Sequence, residues 1–337
     1  MFIASCTELG QKSRAVSCAA PCNQGVRFSV NEHYLFAAFT ALVCLPLSLA
    51  LAAAGLPVTS ALLLVNPPKR VKVFRDKYGQ QTATLCLLAG MVAAVGIGGG
   101  AALVQKSFPA VASFWLGWPL PVMPLAAALA VAAGLALVFR AAWQALKDKR
   151  MAHAVIGCAS TAAAWGFGYL FLAFLRHFVL STAEPGADPS FFLPPLESAS
   201  WLLLGLSLPL SLALAGAYST LYLIYRRDKD DFGRDYYNFA LKLASKWALF
   251  STLAALAALA VIFARIWPLV RDLPVRPFFF WGEGVALMCL LMACTLWGLV
   301  IRNQNPLRLK LHCVAACLLA VAGLSGLMYA NVKFFIG

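Results

Sequence analysis

Charged side chains are scarce in this chain. Its 337 residues include 27 Lys and Arg and 13 Asp and Glu, so 12% are charged and 62% are hydrophobic. An average soluble domain has about 25% charged residues, and the mean hydropathy here is +0.80. Eight apolar runs carry no charge near their middle, and each reaches the roughly 20 residues that a helix needs to cross a bilayer. They are 34–55, 83–105, 121–140, 153–176, 199–225, 239–266, 279–301 and 310–332.

No loop between these runs is long enough to hold a soluble domain. Strands of a membrane barrel alternate apolar and polar residues, whereas these runs are unbroken, which favours helices. We therefore predict an all-α integral membrane protein with about eight transmembrane helices. It would comprise an extramembrane lead (1–32), a first four-helix half (33–180), an outer loop (181–198) and a second four-helix half (199–337).

The distribution of Lys and Arg predicts the orientation. The loops after the first, third, fifth and seventh runs hold 18 of the 27 basic residues, which places them in the cytoplasm and both termini outside. The chain is then a multi-pass protein of the cytoplasmic, or inner, membrane. Its net charge of +14 is a topology signal, and we expect no nucleic-acid partner. In the loop RRDKDDFGRD, basic residues are interleaved with acidic ones, which favours a solvated loop over a divalent cation site.

Histidine is rare, and the predicted topology sorts the four into two pairs. His33 and His177 fall at the outer rim, and His153 and His312 fall at the inner rim. The fourth run carries His153 and His177, which are 24 residues and so about 36 Å apart along one helix. Facing imidazoles near each surface are what two bis-histidine b-type haems require. Arg176, on the side poor in positive charge, could pair with a haem propionate. The alternative is that all four are ordinary polar residues of the membrane interface.

Three of the ten cysteines lie in the polar lead. Cys6, Cys18 and Cys22 would need a fourth ligand at close spacing to hold a metal, and only His33 is near. A disulfide or free thiols on an oxidising face is the favoured interpretation. The other cysteines fall inside apolar runs, where cysteine behaves as a small hydrophobe.

One segment carries a family resemblance. The stretch from Arg27 to Leu51, RFSVNEHYLFAAFTALVCLPLSLAL, has a His-Tyr-Leu-Phe motif followed by Pro-Leu-Ser. It resembles the first helix of cytochrome bd quinol oxidase subunit I, and His33 falls on that family's first haem-ligand histidine. The order of helices from Asp76 to Pro185 is similar too.

The chain also departs from that family. Run 121–140 has no carboxylate, run 199–225 has no histidine, and loop 266–278 is too short for a quinol-binding loop. The resemblance therefore implies a subunit that has lost oxygen reduction but keeps one or two haems and a contact with quinone or quinol.

Three functions remain open. The first is a b-type haem electron-transfer subunit that works with the quinone pool and with other subunits of a membrane redox complex. The second is a haem-free membrane anchor or assembly subunit of a respiratory complex. The third is a small-molecule transporter, which the lack of charge near mid-membrane disfavours.

Overall fold

The apolar runs become eight long helices in the computed structural model. The structure describes residues 30–65, 71–107, 119–146, 149–180, 199–230, 232–270 and 276–336. The helices are α1 Val30–Leu64, α2 Lys72–Ser107, α3 Pro119–Ala141, α4 Arg150–Leu180, α5 Ala199–Arg227, α6 Arg234–Val270, α7 Arg276–Arg302 and α8 Lys310–Ile336, with a 3-10 turn at Pro306–Leu309. Each contains a stretch long and apolar enough to cross a membrane. The prediction of an all-α, multi-span membrane protein is confirmed.

Several helices extend beyond their apolar runs. Helix α2 starts at Lys72, before the run at 83–105, and α6 starts at Arg234, before the run at 239–266. Both extensions are at the basic end, where polar residues continue the helix toward the predicted cytoplasm. The cysteines of the lead and the outer loop 181–198 lie outside the described residues.

The helices pack as two rings of four. In the first, α1 contacts α2, α2 contacts α3, α3 contacts α4, and α4 returns to α1. In the second, α5, α6, α7 and α8 follow the same cycle. The rings are joined mainly where α1 packs against α5, and also where α8 meets α1 and α4 meets α5.

Short identical segments recur at corresponding places in the two rings. The octapeptide LPLSLALA occurs at 45–52 in α1 and again at 208–215 in α5. Arg-Asp-x-Tyr opens both second helices, Leu-Val-x-Arg ends both third helices, and His-x-Val-x-x-Cys opens both fourth helices. Self-similarity at a fixed spacing is the mark of a repeated structural unit. The two histidines of the last motif, His153 and His312, therefore occupy equivalent positions.

The joint between the rings lies near the middle of the apolar spans of α1 and α5. A Cβ added at Gly55 of α1 would come within 2.6 Å of the Ser211 carbonyl oxygen of α5. Ser48 and Tyr218 share a hydrogen bond of 2.6 Å between their hydroxyl oxygens, and Trp165 Nε1 donates to Ser211 Oγ at 3.1 Å. Close backbone approach at small residues, with polar groups bonded across helices, is the usual way helices associate in lipid.

Candidate functional site

Polar side chains of the described residues converge at the end of the bundle that the predicted topology places in the cytoplasm, called here the inner end. Asp230, in the loop between α5 and α6, accepts two hydrogen bonds from the Arg226 guanidinium, at 2.6 and 2.8 Å. It also accepts one from Gln81 Nε2 of α2, at 3.0 Å. The Gln81 carbonyl oxygen accepts a 2.6 Å bond from the hydroxyl of Tyr236, which is fully buried at the start of α6. This Gln81 network links the first ring to the second through α2 and the α5–α6 loop.

A second set of contacts ties α2 to α3 and α4. Asp76 of α2 pairs with Arg150 of α4 at 2.7 Å. Arg140, near the end of α3, donates through Nε to Thr84 Oγ1 of α2 at 2.8 Å. These bonds hold the inner ends of three helices at fixed spacing.

A polar cleft lies between these three helices. It has a volume of about 350 Å³. Its lining comprises Val73, Asp76, Lys77, Gln80, Trp143, Gln144, Leu146, Arg150 and His153. The volume is at the lower end of the range of small-molecule sites, and the polar groups could hydrogen-bond a small polar ligand.

His153 borders this cleft and is buried, with 2% of its surface exposed. Its Nε2 lies 3.0 Å from the carbonyl oxygen of Phe139, in the last turn of α3. The next donor along that helix, the Trp143 amide, bonds the Arg140 carbonyl instead. The histidine thus satisfies one of the carbonyls that a helix C-terminus leaves free. Because the Phe139 carbonyl can only accept, Nε2 must carry a proton. In a neutral ring this is the Nε2-protonated tautomer.

Two aromatic rings enclose the imidazole. Its centroid lies 4.6 Å from that of Phe139 and 4.3 Å from that of Trp143. A haem ligated through Nε2 would have to displace the Phe139 carbonyl. In this arrangement His153 caps the end of α3 through its bond to the Phe139 carbonyl.

His312 stands at the equivalent position of the second ring, at the start of α8, and is half-buried. Helix α4 packs on α1, α3 and α5, and α8 packs on α7, α1 and α5, whereas α4 and α8 do not pack closely on each other. No hydrogen bond or ring contact joins His153 to His312 in the described part of the chain. The two histidines are thus counterparts in separate rings, and their pairing around a haem stays a prediction.

The outer residues lie on two helices that pack directly on each other. His33 is near the start of α1, and Arg176 and His177 are near the end of α4. Their side chains lie outside the described residues. The register is set by the Val58 amide, which donates to Thr161 Oγ1 at 3.0 Å. Counted outward from that contact along straight helices at about 1.5 Å per residue, His33 would lie about 14 Å farther out than His177, and Pro46 of α1 falls within the counted stretch.

Among the residues that the structure describes, no group of three or more His, Cys, Asp or Glu could hold a metal ion. A haem needs only two axial ligands, so this result leaves the haem prediction untested. In the acidic loop between α5 and α6, Asp230 pairs with Arg226 and also accepts a hydrogen bond from Gln81.

Sequence reasoning missed Gln81 and Tyr236. Both lie close to the repeated Arg-Asp-x-Tyr segments, so a search for internal repeats would have drawn attention to them. The bonds of Gln81 to Tyr236 and to Asp230 depend on a packing of α2 against α6 that no local sequence pattern predicts.

No protein-family model matches the chain, and no curated protein matches it. The resemblance to cytochrome bd quinol oxidase subunit I stays a prediction.

Substituting His153 should distinguish a structural role from ligation. We expect His153→Leu to lower the free energy of unfolding by about 1–3 kcal/mol, because it leaves the Phe139 carbonyl without its donor. His153→Gln, whose amide can still donate, should retain much of that stability. The measurement is thermal unfolding of the detergent-purified chain. Equal losses in the two variants would show that the hydrogen bond is not what matters at this position.

Proposed function

We propose that the chain is a haem-free membrane anchor subunit of a multi-subunit respiratory complex in the cytoplasmic membrane. The observation that carries the proposal is the closed joint between the rings. Gly55 and Ser211 are in backbone contact there, and the polar side chains beside them bond one another. A rigid, filled interior suits a subunit that holds partners in place.

The same joint argues against transport. In transporters built from repeats, the substrate site lies near mid-membrane between the repeats, where helices are broken or carry ionisable groups. Here the corresponding place is occupied by packed backbone, and α1 continues as one helix from Val30 to Leu64. Movement of one ring against the other would break these contacts.

The inner histidines also favour a haem-free subunit. The Nε2 of His153 bonds the Phe139 carbonyl, and the helices that carry His153 and His312 do not pack closely on each other. In this proposal the inner pair holds no haem, so the chain would not carry electrons across the membrane by itself. Electron transfer would then belong to partner subunits.

The respiratory setting rests on the first-helix resemblance and on the lack of any loop large enough for a soluble catalytic domain. The partners in this proposal are the lipid bilayer, other subunits of a redox complex and, through that complex, quinone or quinol. The inner face offers a firm attachment surface, because the Gln81 network and the Asp76–Arg150 pair lock its helices together.

Isolation from native membranes tests this proposal. The full chain, tagged and expressed from its own locus, would be extracted in a mild detergent and separated by size. We expect it to migrate with redox-active subunits in fixed stoichiometry, at a mass well above its own 36.1 kDa. Recovery as a free chain under conditions that preserve a known respiratory complex of the same membrane would contradict the proposal.

A b-type haem at the outer rim is the second candidate. It is favoured by the direct packing of α1 on α4, which brings the helix ends bearing His33 and His177 to the same side. Arg176 would be its propionate partner. On straight helices the two histidines would differ in depth by about 14 Å, which is why we rank this candidate second.

A further inference from the structure

A groove runs between the inner halves of α6 and α7. It lies on the side of the second ring that faces away from α1. It has a volume of about 470 Å³. Its lining comprises Lys246, Leu249, Phe250, Thr295, Gly298, Leu299, Ile301 and Arg302. Phe250 and Leu299 are 64% and 50% exposed, so its walls face lipid. A Cβ at Gly298 would meet no atom within 4 Å, which leaves room beside the α7 backbone.

Two cations stand in this otherwise apolar groove. Lys246 and Arg302 are both exposed. The ion pairs in the described part of the chain are Asp76–Arg150 and Arg226–Asp230, and neither involves them. Lys246 is 12 residues into α6, about 18 Å from its start, so its backbone lies within the helix span rather than in the loop.

The first ring contains a counterpart of Arg302 whose guanidinium has a hydrogen-bond partner. Arg140 holds the position in Leu-Val-x-Arg that Arg302 holds in the second ring. Its guanidinium donates to Thr84 of the adjacent helix at 2.8 Å, and Arg140 is half-buried. The second ring has leucine at the position corresponding to Thr84, Leu243, and Arg302 is left facing outward.

We propose that this groove binds an anionic phospholipid of the inner leaflet. The acyl chains would lie along Leu249, Phe250 and Leu299, and the phosphate would meet Arg302 and the ammonium of Lys246, which extends toward the headgroups on its apolar stem. Basic pockets between transmembrane helices on the cytoplasmic side are suited to anionic headgroups. A zwitterionic lipid would place the same acyl chains in the groove, but it carries no net negative charge to pair with Lys246 and Arg302.

Native mass spectrometry of the detergent-purified full chain tests the site. Dioleoyl phosphatidylglycerol and dioleoyl phosphatidylcholine would be titrated separately. We expect phosphatidylglycerol to bind first and more tightly, and the double variant Lys246→Gln/Arg302→Gln to lose about tenfold in its affinity. Arg227→Gln/Arg308→Gln is the matched control. It removes two exposed inner charges outside the groove and should leave the first binding step unchanged.

A second variant probes the groove without changing charge. Gly298→Leu fills the open space and should weaken phosphatidylglycerol binding while the chain stays folded. Equal binding of the two lipids, equal losses in the groove and control double variants, or displacement of the lipid by equimolar inorganic phosphate would overturn the proposal. The last outcome would mark a free-phosphate site.

Discussion

Gly55→Val should be the most damaging single substitution at the joint between the rings. The first carbon of the new side chain would lie 2.6 Å from the Ser211 carbonyl oxygen and 2.8 Å from its carbonyl carbon. Both are backbone atoms, so no side chain can move aside and α1 must separate from α5. Overpacking of this kind costs about 1–3 kcal/mol and sometimes more. The readout is the thermal unfolding midpoint and the yield of monodisperse protein in detergent.

The control is Gly98→Val in α2. That position has no atom within 4 Å of an added Cβ, so the same change in chemistry meets open space. Because glycine is a poor helix former, the control should be neutral or slightly stabilising. Similar losses at the two positions would mean that the damage comes from valine in a helix and not from the α1–α5 contact.

Asp230→Ala should have the second largest effect, by taking apart the Gln81 network. It removes both Arg226 bonds and leaves Gln81 Nε2 without an acceptor at a position where Gln81 is 6% exposed. The Arg226 side chain is 35% exposed, and solvent therefore recovers part of the lost ion pair. We expect a loss of about 1–3 kcal/mol, set mainly by the unpaired buried amide. Chemical denaturation in mixed micelles would measure it.

Asp228→Ala is its matched control. Asp228 lies in the same loop, is exposed, and has no ion pair among the described residues. This variant loses the same charge without disturbing a buried group, so its stability should remain within about 0.5 kcal/mol of the parent chain. If Asp228→Ala were as costly as Asp230→Ala, loop charge alone would account for the effect.

The number and type of helices followed from the sequence because lipid imposes a strong constraint. A run such as 310–332 has no alternative to a helix once its backbone must satisfy itself in hydrocarbon. The helix ends were less predictable. The amphipathic starts of α2 and α6 have neither the apolar content of a span nor a breaker to stop them, so the helices extend to Lys72 and Arg234.

The histidines show where sequence reasoning reached its limit. Topology correctly assigns His153 to the start of a helix, but depth alone does not tell which way a ring points. Its orientation depends on a carbonyl 14 residues earlier in the chain, that of Phe139, becoming free at the end of α3. The recurrence of His-x-Val-x-x-Cys was available in the sequence, and it indicates that His153 and His312 occupy equivalent positions.

The closed joint and the structural His153 together make a haem-free subunit the central claim, and an optical spectrum tests it directly. The full chain would be purified from haem-replete cells, and its dithionite-reduced minus oxidised spectrum recorded with pyridine haemochrome quantitation. The account predicts no b-type α-band in the chain itself. One haem per chain, abolished by His33→Ala and by His177→Ala but retained in His153→Gln, would contradict it and establish the outer-rim haem instead.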